Sequence, residues 1–113
     1  MNKQKHTWTD NDEIVCCSEY LKYSLRSIEL KDYNIILEKL YKLLPEIKKS
    51  SLKMKLQNIK YLCILNNIPD FTRLKPLSNA SIKNQNVFKL LIDSPDIKKL
   101  ILLRKEDLTK YET

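Results

Sequence analysis

Apolar residues recur at Leu52, Leu56, Ile59, Leu62 and Cys63, the three- and four-residue spacing of one buried helical stripe. Ser50 and Ser51 stand just before it, hydroxyls able to accept a backbone N–H and cap a helix, so the pattern predicts a central helix over about 50–65. The opposite arc carries Lys53, Gln57, Lys60 and Tyr61, with Met54 and Asn58 on the flank.

The same reading predicts further helices on both sides. Trp8-Thr9 ahead of Asp10, Asp12 and Glu13 is a cap with an acidic first turn, which the helix dipole favours. That helix should cover 10–25 and bury Ile14, Cys17, Leu21 and Leu25. Trp8 then serves as a hydrophobic staple or as core, and Asp10, Asp12, Glu13 and Glu19 read as capping and solvated groups. A second helix is predicted over 30–44, with Tyr33, Ile36, Leu37, Leu40 and Leu44 inward and Pro45 as its stop. The short linker 46–49 has the length of a helix-turn-helix joint.

Beyond the central helix, Asn66-Asn67-Ile68-Pro69-Asp70 is a break. Residues 71–77 alternate weakly, and Pro76 limits them to a loop or a short extended wing. Ser78-Asn79-Ala80-Ser81 caps a helix over 82–92 that buries Val87, Phe88 and Leu91. Ser94-Pro95-Asp96 starts the last helix, expected to end near 105. Its run Leu100 to Leu103 exceeds what one stripe requires, so it is either buried on most sides or a surface for another chain, with Leu100, Leu102 and Leu103 as the interface candidates. The expected fold is all-α: a helix-turn-helix-like bundle of about five helices in one domain over 8–105, between a disordered tail over 1–7 and a polar tail or linker over 106–113.

Composition narrows the function. A chain of 113 residues supports one core. Gly is absent, so positive φ must fall on Asn or Asp, and Gly-dependent phosphate and dinucleotide loops are excluded. A net charge of +7 and a pI near 9.3 favour a polyanionic partner through counterion release, although Lys, Asn and Ile also accumulate in AT-rich genomes. Cys16, Cys17 and Cys63 are odd in number and lack metal-site spacing, and they lie in apolar stretches; they read as buried free thiols. His6 is the only histidine and lies near the terminus, so neither a zinc site nor a nucleophile–base pair is expected. Glu46-Ile47-Lys48 has the spacing of a nuclease half-motif but sits in a linker with no strand to carry it, a chance match. No signal peptide or membrane-length apolar run is visible. The expectation is a cytoplasmic protein that is no enzyme, holds no cofactor or metal and does not bind a membrane.

Three segments share one resemblance. "TWTDNDEIVCCSEYL", "LKMKLQNIKYL" and "LKPLSNASIKNQNVF", in that order, resemble the opening helix, the MKL-x-N central helix and the Leu-Ser-Asn-Ala-Ser turn of a small helical domain. That domain stands at the N-terminus of many HNH-type and other restriction endonucleases and related bacterial defence proteins. Lys48-Lys49-Ser50 stands where the family usually has an Arg, and Cys63-Ile64-Leu65 where Asp-Pro is frequent, which suggests a longer helix or a hydrophobic continuation. The resemblance implies a non-catalytic module that binds duplex DNA with its central helix. Lys53, Gln57 and Lys60 would point into a groove and Tyr61 would stack. Lys48, Lys49 and Ser51 would meet phosphate, with Arg73 and Lys75 on the backbone from the loop. Lys55 and Asn58 belong to the signature but flank the core, and Asn58 either reads a base or ties the helix to its neighbours. The alternative is a stand-alone inhibitor or adaptor, phage- or plasmid-encoded, that binds a defence nuclease; a homodimer and an excised fragment of a larger nuclease are further readings. Burial of the Leu100–Leu103 surface favours the DNA module and its exposure favours the adaptor.

Overall fold

Five α-helices form the protein in a computed structural model that describes residues 6–112: α1 (Asp10–Ser24), α2 (Tyr33–Leu43), α3 (Lys49–Leu65), α4 (Ile82–Ile92) and α5 (Pro95–Glu112). The all-α bundle expected from the pattern is the fold. α1 packs against every other helix, most extensively against α4, and α2 and α3 follow one another across the short turn 44–48. In place of a wing, the segment after α3 makes one isolated bridge, Lys31 to Thr72.

Local chemistry sets each boundary. Thr9 and Asp12 form a reciprocal capping box at the start of α1, the Thr9 hydroxyl accepting from the Asp12 amide and the Asp12 carboxylate from the Thr9 amide. α2 starts at Tyr33 rather than near 30, because the Asp32 side chain caps it and the Lys31 amide donates to the Phe71 carbonyl instead. α3 starts at Lys49 with no side-chain cap, so Ser50 and Ser51 lie inside its first turn and are not the caps expected of them. At its other end the Ile68 amide donates to the Cys63 carbonyl and the Asn67 amide to Ile64, the paired bonds of a Schellman stop. That stop needs a left-handed residue, and in a chain without glycine Asn67 takes it, at φ 56°. α5 continues past 105 to Glu112, so 106–112 is helix and not a linker.

The core is built from the predicted stripes, with one shift. Leu52, Leu56, Ile59, Leu62 and Cys63 of α3 are all buried, as are Ile36, Leu37 and Leu40 of α2 and Val87 and Phe88 of α4. In α1 the inward face is Cys16, Cys17, Tyr20, Leu21 and Leu25, while Ile14 is 45 % exposed. The rotation brings Glu13 inside, where it is fully buried; the solvated role expected of it is wrong. Its Oε2 accepts from the buried Lys55 ammonium at 2.9 Å and its Oε1 from the Asn84 amide at 2.9 Å. The ammonium also sits 4.4 Å from the centroid of the half-buried Trp8 ring. Glu13, Lys55 and Asn84 therefore join α1, α3 and α4 through a polar contact inside an apolar core.

All three thiols are buried and free. Burial, with the Glu13 charge second, raises Cys16 to about 12, and burial pushes Cys17 and Cys63 up as well. They should stay unmodified by a water-soluble thiol reagent at pH 8 and react only in urea; stoichiometric labelling of the folded chain would contradict this burial.

Removing one member of a buried ion pair leaves an uncompensated charge, at a cost of roughly 3–5 kcal/mol. Lys55→Met is expected to lose about that much in urea unfolding. Adding Glu13→Gln, which still accepts from Asn84, should recover part of the loss. Additive effects of the two substitutions would contradict the pairing.

Candidate nucleic-acid interface

The face of α3 opposite its apolar stripe is not open along its length. The segment 66–81 turns back beside the helix and ties down its C-terminal half. The Leu77 amide donates to the Gln57 carbonyl at 3.1 Å. Asn58 is buried and its amide donates to the Leu77 carbonyl and to Asn79 Oδ1, each at 3.0 Å. Lys60 donates to the Thr72 carbonyl and pairs with Asp70 at 3.2 Å. Asp70 and Thr72 in turn meet the hydroxyl of Tyr20, at 2.6 and 2.9 Å. Burial, followed by the Asp70 charge, drives the Tyr20 hydroxyl well above the ordinary tyrosine range.

These contacts correct part of the expected site. Lys60 is an internal clamp between α3 and the loop, with only 13 % of its side chain exposed, and not a lysine free for phosphate. Asn58 ties the helix to its neighbours and reads no base in this arrangement. Lys55 is likewise inside the core. Tyr61 is half-buried against the core, short of the free aromatic face that base stacking needs.

The N-terminal half of α3 stays accessible. Lys48 and Lys49 are exposed at its first turn, and Ser51, Lys53 and Gln57 are half-exposed. Lys49 pairs with Glu38 and lies over the Tyr41 ring, which offsets its charge. Lys53 lies 5.3 Å from the centroid of the Tyr33 ring. Tyr33 also borders a shallow depression with Leu30, Lys31, Asp32 and Arg73, so the ring connects Lys53 on α3 with Arg73 on the loop. Arg73 and Lys75 are exposed. Lys48, Lys53, Arg73 and Lys75 make no ion pair among the described residues. Lys31, absent from the expected set, is buried beside this patch and donates to the Ser27 and Glu29 carbonyls, and desolvation lowers its pKa.

Of the expected protein-contact residues, Leu100 is partly buried against the core, Leu102 is 61 % exposed and Leu103 37 % exposed. The inward residues of α5 are Ile97 and Ile101. Glu46 and Lys48 are exposed, with Ile47 buried between them. No group of three or more His, Cys, Asp or Glu side chains converges among the described residues, and among them no helix is long and apolar enough to cross a membrane. Residues 1–5 of the expected tail lie outside the described residues, whereas His6 is held against Asp12 at 2.8 Å.

Comparison of the chain with family models, with characterised proteins and with solved structures finds no match.

Two predictions test the frame behind this patch. Asn58→Ala leaves the Leu77 carbonyl without its amide donor, which should cost about 1–3 kcal/mol and speed hydrogen exchange at the Leu77 amide more than at Leu56. Equal protection at both sites would contradict the clamp. Burial opposes the charged form of Asp12, but the Thr9 amide and hydroxyl and His6 outweigh it and hold the carboxyl below its ordinary value of 3.8. A depressed carboxylate stabilises the fold above that value and loses the contribution as pH falls through the folded-state pKa. Asp12→Asn should therefore cost about 1 kcal/mol at neutral pH, and the gap from wild type should close in strong acid. A gap that widens below pH 3.8 would contradict the sign.

Proposed function

We propose that this chain is a non-catalytic duplex-DNA-binding module associated with restriction or defence, and that it grips DNA with the N-terminal half of α3 rather than along the whole helix. The observation that carries the reading is a pair of cations without an ion-pair partner among the described residues, Lys53 and Arg73, on either side of Tyr33, with a third, the exposed Lys48, at the start of the same helix as Lys53. Lysine and arginine at this end meet phosphate oxygens, which position the protein on a duplex. The uncapped first turn adds amides and the positive end of the helix dipole to the same place. Gln57, half-exposed, is the residue of the outward arc that retains a side chain able to bond a base edge. The net charge of +7 supports a salt-dependent partner.

A second reading, a protein inhibitor or adaptor that docks on a nuclease, is favoured by one observation, the exposure of Leu102 and Leu103 on α5.

The test is fluorescence anisotropy with a labelled random duplex at two salt concentrations. Wild type should bind at low salt and weaken steeply as salt rises. Lys48→Glu, Lys53→Glu and Arg73→Glu should each weaken binding across sequences and lower the log–log salt slope by roughly one for each phosphate no longer met. Lys89→Glu, on the exposed side of α4, serves as the matched charge control and should bind nearly as wild type. Lys60→Glu is unsuitable here, because it breaks an internal clamp. No binding at low salt, or equal losses in the Lys89 control, would overturn the DNA reading and leave the adaptor.

A further inference from the structure

On α5, Lys99, Leu102, Leu103 and Glu106 stand at i, i+3, i+4 and i+7, one face of a helix, and all four are exposed. At 100° per residue this face lies opposite the one carrying Ile97, Ile101 and Arg104, which holds α5 to the rest of the protein. A partner laid on it meets no obstruction from the protein's own body. Beyond Ile101 none of the described side chains of α5 is buried, so the helix continues to Glu112 with little support from its own chain.

The charges on this face match themselves. In an antiparallel pairing about a two-fold axis between Leu102 and Leu103, each Lys99 faces the second copy's Glu106 and each Leu102 its Leu103. Neither Lys99 nor Glu106 has an ion-pair partner among the described residues. A parallel pairing in register would set Lys99 against Lys99 and Glu106 against Glu106, so the face selects the antiparallel arrangement. Such self-complementarity is what an isologous two-fold contact requires.

We propose that the exposed face of α5 is a self-association surface, whose occupant is the antiparallel α5 of a second copy of this chain. The leucines form its centre and the two Lys99–Glu106 pairs its ends. Antiparallel overlap also places the less supported C-terminal half of each α5 beside the supported N-terminal half of the other. A contact of two helices lies at the small end of stable interfaces, so the dimer should form on the order of micromolar concentration. It leaves the basic end of α3 outside the contact, so dimerisation does not depend on the DNA reading.

Sedimentation of the full chain over a wide concentration range tests this. Wild type should pass from the 13.5 kDa monomer to twice that mass. Leu102→Glu should remain monomeric with an unchanged helical circular dichroism spectrum, since the side chain is exposed and takes no part in the core. Lys99→Glu and Glu106→Lys each turn two attractive pairs into two repulsive ones and should weaken the dimer by ~10-fold or more. Lys99→Glu combined with Glu106→Lys restores opposite charges and should return association to within ~3-fold of wild type. A chain that stays monomeric into the high micromolar range would overturn the proposal. So would a dimer indifferent to Leu102→Glu, or a double charge swap no better than the singles.

Discussion

A lysine buried among hydrocarbon has to bring its counter-charge with it. Lys55 is 6 % exposed, and desolvating an ammonium costs several kcal/mol unless an anion and further hydrogen bonds meet it. Glu13 supplies the anion, Trp8 a ring face, and Asn84 satisfies the second carboxylate oxygen. Three helices far apart in the chain can be joined this way in one register only. A rotation of α1 or α3 by one residue would part the buried charges, and a rotation of α4 would leave a buried carboxylate oxygen without its donor. The surrounding apolar stripes supply the driving force, and this contact specifies which packing they adopt.

Several residues from three stretches distant in the sequence, 7–21, 52–62 and 74–88, turn out to be neighbours. Trp8 and Glu13 come from the first, Lys55 and Asn58 from the second, and Leu77, Asn79 and Asn84 from the third. Their contacts are with each other, so these residues form a frame rather than a reading surface. A consequence follows for any nucleic-acid role. With Asn58 and Lys60 tied to the segment beside α3, the helix is available mainly near its first turns, where Lys53 lies over the Tyr33 ring and Arg73 borders the same depression.

Much of the fold was legible because the usual signals agree with one another. The stripe of Leu52, Leu56, Ile59, Leu62 and Cys63, the stop at Pro45, the Ser94-Pro95 start and the need for Asn or Asp at a left-handed position, met by Asn67, all appear as read. The site was harder to read because polarity was equated with exposure. Glu13 falls on the stripe of Cys16, Cys17 and Tyr20, Lys55 on that of Leu52, Leu56 and Ile59, and Asn84 on that of Val87 and Phe88, each three or four residues from its apolar neighbours. Three core positions occupied by an acid, a base and an amide are a signal in themselves, since such groups enter a core only together. Lys60 left no comparable trace: its partners, Asp70 and the Thr72 carbonyl, depend on how the following segment folds back. The end of α5 was missed for a different reason, as a polar sequence reads as a tail when its helix is not anchored by core contacts.

The central claim, that Lys55 belongs to the frame, is tested most directly by nitrogen-15 NMR of the lysine ammonium groups. A buried, paired ammonium exchanges its protons slowly enough to be seen near neutral pH, while solvated ones do not. We expect a protected Lys55 signal, shifted by the Trp8 ring and lost in Glu13→Gln. A Lys55 ammonium in free exchange with water, unaffected by Glu13, would contradict the claim and return that residue to the surface.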